Sequence, residues 1–180
     1  LSLHASRPYV KGRHRDKYRT FVIRSADRGK TWQYLSTVAF DPTPENAQEA
    51  GDGTTPKATG IGYCEPCLLC MPDGKILCFM RSGTNYRLSI SDFSRQTPLY
   101  ASTSADGGKS WSEVAPIAPF GVYPGAILMR NGIIVVCYGR PGSWLALSGD
   151  GGKSWGPRVP FYHDLYPPDC SNYFSAVEVA

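Results

Sequence analysis

With 180 residues, 42% of them hydrophobic and 12% aromatic, the chain can bury one substantial core and shows no compositional lean toward disorder. Its formal net charge of +4 is mild, and the basic residues are dispersed apart from the run at 11–19 (KGRHRDKYR), which reads as a solvated loop and leaves no broad nucleic-acid footprint. No apolar run approaches the ~18 residues that a membrane span requires. The chain opens on Leu-Ser-Leu-His, shows no signal peptide and stops inside a strand-like run, so its ends are expected to lie within a longer protein.

In chain order, residues 18–24 and 33–40 read as two strands on either side of the phrase Ser25-Ala-Asp27-Arg-Gly29-Lys-Thr31-Trp32. Residues 41–62, rich in Pro, Gly, Thr and acids, read as a long loop between units. Residues 64–83 (CEPCLLCMPDGKILCFMRSG) and 122–142 (VYPGAILMRNGIIVVCYGRPG) share one plan: a polar residue before Pro, a strand, a Gly turn, a second strand, then an arginine. The turns hold Asp73-Gly74 and Asn131-Gly132, strong short hairpin signals. In the first unit a second long loop, 84–96, intervenes before a third strand at 99–104; in the second unit the third strand is 144–148. Each third strand leads into the same phrase again, Ser104-Ala-Asp106-Gly-Gly108-Lys-Ser110-Trp111 and Ser148-Gly-Asp150-Gly-Gly152-Lys-Ser154-Trp155, and then into a fourth strand.

These units are four-stranded antiparallel meanders, the form of a propeller blade. The expected organisation is an all-β partial propeller: 17–40 the last two strands of one blade, 64–119 and 122–162 complete blades, and 172–180 the opening strand of a further one. Within the repeated phrase, Asp and Ser bond the turn's own backbone, Gly supplies a positive φ, and Trp folds back onto the hairpin. Topology also sorts the polar residues. The start of a first strand and the finish of the second share one end of a blade, so Glu65, Arg81, Arg140 and Tyr173 are expected at one mouth of the central channel, with Tyr123 at the repeat position of Glu65. The repeated phrases belong at the opposite end.

The phrase S-x-D-x-G-x-[ST]-W resembles the Asp-box of sialidases and related β-propellers, and the site order makes the resemblance to sialidases more specific. In that family a Glu-Pro precedes a strand and an arginine ends the next one, as Glu65-Pro66 and Arg81 do. A further arginine stands before the strand entering a late Asp-box, as Arg140 does, and a Tyr nucleophile opens a strand some thirty residues on, as Tyr173 does. The resemblance implies a six-bladed fold, a retaining exo-α-sialidase releasing terminal sialic acid from glycoconjugates, sialylated glycans as partners and no cofactor. It also implies a secreted, periplasmic or cell-surface location rather than a cytoplasmic one. Two family residues lack a convincing counterpart, the first arginine and the Asp acid. Arg7-Pro8 and Asp16 match by type only and lie too close to each other and to Glu65.

The chemistry accounts for the residue types. A substrate with a carboxylate on its anomeric carbon repels an anionic nucleophile, so a neutral phenol suits the attack. A phenol with a pKa of about 10 needs a base, which Glu65 would supply. Arginine suits a carboxylate because its planar fork donates two parallel bonds. Plainer readings stand beside these: Glu65 as a solvated strand-start carboxylate, Arg81 and Arg140 as surface arginines, Tyr173 as a core aromatic with Tyr166 as the substitute nucleophile. A non-catalytic Asp-box propeller that binds glycans or proteins is the alternative at the level of the whole molecule.

Strict alternation along 64–70 sets Cys64 and Cys70 opposite Cys67, against a shared metal; buried thiols are expected, with a disulfide or metal site as the other readings. His4, His14 and His163 show no ligand or triad spacing and read as surface residues, and no catalytic metal is expected. An open stack of blades is expected to self-associate or dissolve poorly.

Overall fold

The computed structural model describes residues 1–5, 17–42, 62–82, 98–139, 142–162 and 174–179. They are all-β, in three antiparallel sheets. β1 (Ser2–Ala5), β2 (Arg19–Arg24) and β3 (Gln33–Ala39) form the first. β4 (Tyr63–Cys70), β5 (Ile76–Ser82), β6 (Leu99–Ser104) and β7 (Ala115–Ala118) follow one another across the second. β8 (Val122–Leu128), β9 (Ile134–Gly139), β10 (Ser143–Ser148) and β11 (Val159–Tyr162) do the same in the third. β1 is an addition to the two strands expected here: at four residues, Ser-Leu-His-Ala is too short to carry a periodic signal. Residues 174–179, expected within an opening strand, carry no strand assignment.

The turn chemistry builds the hairpins. Gly74 N–H donates to Met71 O (3.0 Å), Met71 N–H to Lys75 O (2.8 Å), and Asp73 Oδ1 accepts from Lys75 N–H (3.0 Å). Met129, Asn131, Gly132 and Ile133 repeat this arrangement in the third sheet. Gly74 and Gly132 have φ near 85° (85° and 84°) while Asp73 and Asn131 stay at negative φ. Each loop therefore spans three residues with its last in the left-handed region, rather than the two-residue form that Asp-Gly and Asn-Gly most often signal.

The core lies between sheets. β5 sends Leu77 and Phe79 one way, into a cluster with Ile134 and Val136 of β9, and Cys78 and Met80 the other way, into a cluster with Val22 and Val38. β5 and β9 are covered on both faces, which is why they read as unbroken apolar runs rather than alternating ones.

The Asp-boxes add a second link. In each, Ser Oγ accepts from the box Gly N–H, and Asp Oδ1 accepts from the backbone N–H of the Ser or Thr four residues on, as in Thr31 N–H to Asp27 (2.9 Å) and Ser110 N–H to Asp106 (3.0 Å). The same Ser or Thr hydroxyl donates to Asp Oδ2. Trp was expected to fold back on its own hairpin, and Trp32 does, donating to Gly29 O (3.1 Å). Trp111 and Trp155 also reach the preceding sheet: Trp111 Nε1 donates to Ser36 Oγ (2.9 Å), and Trp155 meets Phe79 edge-on at 5.7 Å. Trp144, in β10, packs edge-on to Phe120 at 5.7 Å with the Arg158 guanidinium over both rings.

Gly152 and Gly151 provide a test of this inter-sheet contact. Both sit at positive φ (88° and 75°), but a Cβ on Gly152 would lie 2.5 Å from Leu77 Cδ2 in the core, whereas one on Gly151 meets open space. Gly151→Ala is expected to cost about 1 kcal/mol through backbone strain alone. Gly152→Ala is expected to cost about 1–3 kcal/mol more through overpacking, read from urea denaturation.

The box carboxylates contribute to the acid sensitivity of the fold. Hydrogen bonds from the Thr31 hydroxyl, the Thr31 N–H and the Ser25 hydroxyl hold Asp27 down at about 2, and the equivalent bonds lower Asp106 and Asp150. A carboxyl held below its unfolded value stabilises the fold above that value, about 3.9, and the contribution disappears as pH falls through the folded one. Thermal stability should accordingly decline from pH ~4 toward ~2. Asp106→Asn should lower Tm at neutral pH and make that decline shallower.

Candidate functional site

A repeated irregularity places the candidate residues. In β4 the register runs from Cys64 opposite Arg81 to Cys67 opposite Phe79, and in β8 from Val122 opposite Gly139 to Gly125 opposite Cys137; each first strand holds one extra residue. The first residue of each bulge, Glu65 or Tyr123, adopts φ 49°, and each is followed by Pro, which has no N–H to offer a ladder. A bulge redirects the side chain it carries. The Glu-Pro and Tyr-Pro dipeptides were the readable signal for it.

The bulge overturns one expectation about the cysteines. Arg81 and Phe79, two residues apart on β5, share a side, so their partners Cys64 and Cys67 share one too, with Cys70 opposite. The five described cysteines are free thiols: Cys64, Cys78 and Cys137 buried, Cys67 half-buried and Cys70 exposed. Burial pushes the Cys64 thiol up to about 12 and raises Cys67, Cys78 and Cys137 as well, so these are protonated, unreactive groups at neutral pH. Among the described residues no His, Cys, Asp and Glu group has the arrangement of a metal site.

The Glu65 carboxylate is held on both oxygens. Arg81 Nη1 donates to Oε1 at 2.7 Å, and the Tyr123 backbone N–H donates to Oε2 at 3.2 Å. The side chains of Arg81 and Glu65 are only 9% and 11% exposed. Arg81 Nε is buried and has no hydrogen-bond partner among the described residues. Tyr123, 36% exposed, keeps its ring at the surface beside the pair. Glu65, Pro66, Tyr123 and Pro124, the two bulges, line a cavity of about 310 Å³ with Ser2 and Leu3 of β1. That volume is at the lower end of small-ligand pockets. Ser2 and Leu3 had no signal in sequence, since β1 itself had none.

Three of the expected residues are thus brought together: Glu65, Arg81 and Tyr123. Arg140 and Tyr173 lie outside the described residues, as do Tyr166, Arg7, Pro8, Asp16, His14, His163, Cys170, most of the 41–62 loop and the whole of 84–96. His4 lies in β1, and its side chain is outside the description. Phe174, next to Tyr173 in sequence, is described: its carbonyl oxygen lies against Gly125 of β8, and its ring meets Phe161 at 5.0 Å.

The BNR repeat-like domain family matches residues 3–168. The chain belongs to that family. As a BNR repeat-like chain it is similar in fold to solved propellers of several kinds. A protein of unknown function from Dyadobacter fermentans superposes with TM-score 0.61 at 18% identity, over 85% of this chain and 36% of its own. A polysaccharide lyase, the ulvan lyase bound to -[GlcA(1-4)Rha3S]-, gives TM-score 0.50 at 22% identity, over 89% and 35%. The Hadza microbial sialidase Hz136 gives 0.47 at 21% identity, over 78% and 30%. No curated protein matches the chain. The BNR repeat-like chain therefore spans about a third of those structures, 30–36% of their length, and the structures it resembles in fold include a polysaccharide lyase and an α-L-arabinofuranosidase from Fusarium graminearum. No helix among the described residues is long and apolar enough to cross a membrane.

The ion pair is open to direct test. Arg81→Met would take the guanidinium from a nearly buried carboxylate, and breaking a buried pair costs about 3–5 kcal/mol. The double variant Arg81→Met, Glu65→Gln should recover most of that loss in denaturant unfolding. A single variant within about 1 kcal/mol of the parent would mean that the pair is effectively solvated.

Proposed function

We propose that this BNR repeat-like chain forms part of a retaining exo-α-sialidase, acting on terminal sialic acid of glycoconjugates. The observation that carries the reading is the Glu65–Arg81 pair, seated where two first-strand bulges meet beside a cavity. The order Glu65-Pro66, Arg81, Arg140, Tyr173 across Asp-box units adds to it. In this reading Arg81 and Arg140 hold the substrate carboxylate. The Tyr173 phenol attacks the anomeric carbon while Glu65 takes its proton; water then releases the sugar and the proton returns. The acid that protonates the leaving group and a third arginine come from residues not identified in this chain. The six-bladed ring belongs to the same proposal, as does a location where glycoconjugates are met.

The alternative is a binding propeller without catalysis. One observation favours it: both Glu65 oxygens are engaged, by Arg81 and by Tyr123 N–H, which is what a carboxylate clamping β4 to β8 would do.

Turnover of a sialic acid α-ketoside by the complete protein separates the two. For the enzyme, Tyr173→Phe should reduce kcat by at least ~100-fold, as expected for loss of a nucleophile, with circular dichroism unchanged. Unaltered turnover in that variant, or none in the parent, would leave the binding module as the better reading.

A further inference from the structure

The gap between the second and third sheets holds a polar grouping apart from the Glu65–Arg81 pair. Tyr138 of β9 stands directly opposite Trp144 of β10, and opposite residues share a face, so both point into this gap. Phe120, in the crossing from β7 to β8, completes a corner: its ring meets Tyr138 at 6.3 Å and Trp144 at 5.7 Å, edge-on to each. Arg158, just before β11, sets its guanidinium 4.9 Å over the Phe120 ring and 5.2 Å over that of Trp144.

Two features of this corner are not accounted for by packing. Arg158 is exposed, and among the described residues its guanidinium makes no hydrogen bond or ion pair; its contacts are the two rings. Stacking occupies the face of a guanidinium and leaves its in-plane N–H groups directed outward, the arrangement that grips a carboxylate or a sulfate. Tyr138 is wholly buried, yet its hydroxyl has no partner among the described residues. Burial pushes this phenol up to about 12 against the opposing pull of the Arg158 charge. At neutral pH it is a protonated donor within the field of that guanidinium. A buried hydroxyl left unpaired is costly to the fold, and a ligand oxygen, or a water held by one, would satisfy it.

The corner shares an end of the sheets with Glu65 and Tyr123. The start of β10, where Trp144 lies, is paired with the finish of β9, which is paired with the start of β8. β10 is two strands out from β8, a sideways distance on the order of 10 Å.

We propose that Arg158 and Tyr138, framed by Phe120 and Trp144, form an accessory subsite for the anionic group of an acidic saccharide, a carboxylate or a sulfate ester. The choice of a saccharide rests on the proposed function, because a glycan held at the Glu65–Arg81 pair has this corner within reach of its further units. The anion site itself rests on the stacked guanidinium and the unpaired phenol.

Arg158 lies over Trp144, so tryptophan emission of the complete protein reports on the corner. The probes are glucuronic acid, a glucose sulfate ester, glucose and inorganic sulfate. The two acidic sugars should give a saturable change and glucose none. Arg158→Gln should weaken their binding by at least ~10-fold, as expected for loss of a charge-assisted hydrogen bond. Arg158→Lys keeps the charge without the planar fork and should recover part of that loss. Tyr138→Phe should also weaken binding, yet leave Tm unchanged or higher, because it removes an unsatisfied hydroxyl. No response to the acidic sugars, or an equal response to glucose, overturns the proposal. So does parent-like affinity in either Arg158→Gln or Tyr138→Phe. Inorganic sulfate that binds as tightly as the sugar sulfate means an adventitious ion only, and overturns the saccharide assignment. None of these readouts requires turnover, so their failure is distinct from that of the Tyr173→Phe assay.

Discussion

A four-stranded sheet that is apolar on both sides has to be covered on both sides, and the rest of this structure follows from that constraint. β5 shows it most directly: Leu77 and Phe79 are buried against β9, while Cys78 and Met80 are buried against the first sheet. At roughly 25 cal/mol per Å² of apolar surface, such side chains contribute about 1.5–3 kcal/mol each when buried. Neither cluster can form within one sheet. The hairpins supply register, but stability resides between sheets, and in the second and third sheets the Asp-box adds a contact across that gap through Trp111 and Trp155. Its hydrogen bonds are spent mainly inside the turn, fixing a shape that presents a glycine and a tryptophan to the neighbour.

The same stacking explains why the polar pair lies where it does. β4 and β8 are adjacent innermost strands, and a straight strand would continue the alternation of apolar residues past its head. One extra residue in each interrupts it and turns Glu65 and Tyr123 out of the core rows. The left-handed backbone at these two non-glycine positions costs of order 1–3 kcal/mol each. The Arg81 bond and the Tyr123 N–H bond to Glu65 offset part of that cost at both bulges together.

How much of this was legible in sequence depended on whether the signal was local. The Asp-box residues, the hairpin glycines and the unbroken apolar runs of β5 and β9 each encode their structure within a few residues, so the all-β class and the four-stranded sheets were readable. β1 was not, because a four-residue strand has no period to detect. The facing of Cys64 and Cys67 was misread because a period-two argument assumes that no residue is inserted, and the Glu65-Pro66 bulge inserts one. Trp111 and Trp155 were assigned to their own hairpins because a contact with another sheet leaves no mark in the local pattern. Glu65 and Arg81 were placed together by strand direction and Tyr123 by its repeat position, which need only the order of strands and not their details.

What strand direction could not supply is the state of the groups once assembled. Topology brings a carboxylate and a guanidinium to one end; only the structure shows them paired at 2.7 Å and about nine-tenths buried. Desolvating both charges is costly, and an apolar pair of similar size would often serve stability as well. The pair's retention of charge is therefore better explained by what it orients than by what it stabilises. On the proposed reading, a substrate carboxylate arriving at Arg81 would compete with Glu65 for the same guanidinium. Weakening that bond frees a carboxylate oxygen to accept a proton at the moment a nucleophile needs a base. In the binding-module reading the same competition would unclamp β4 from β8, linking ligand occupancy to the packing of two neighbouring sheets.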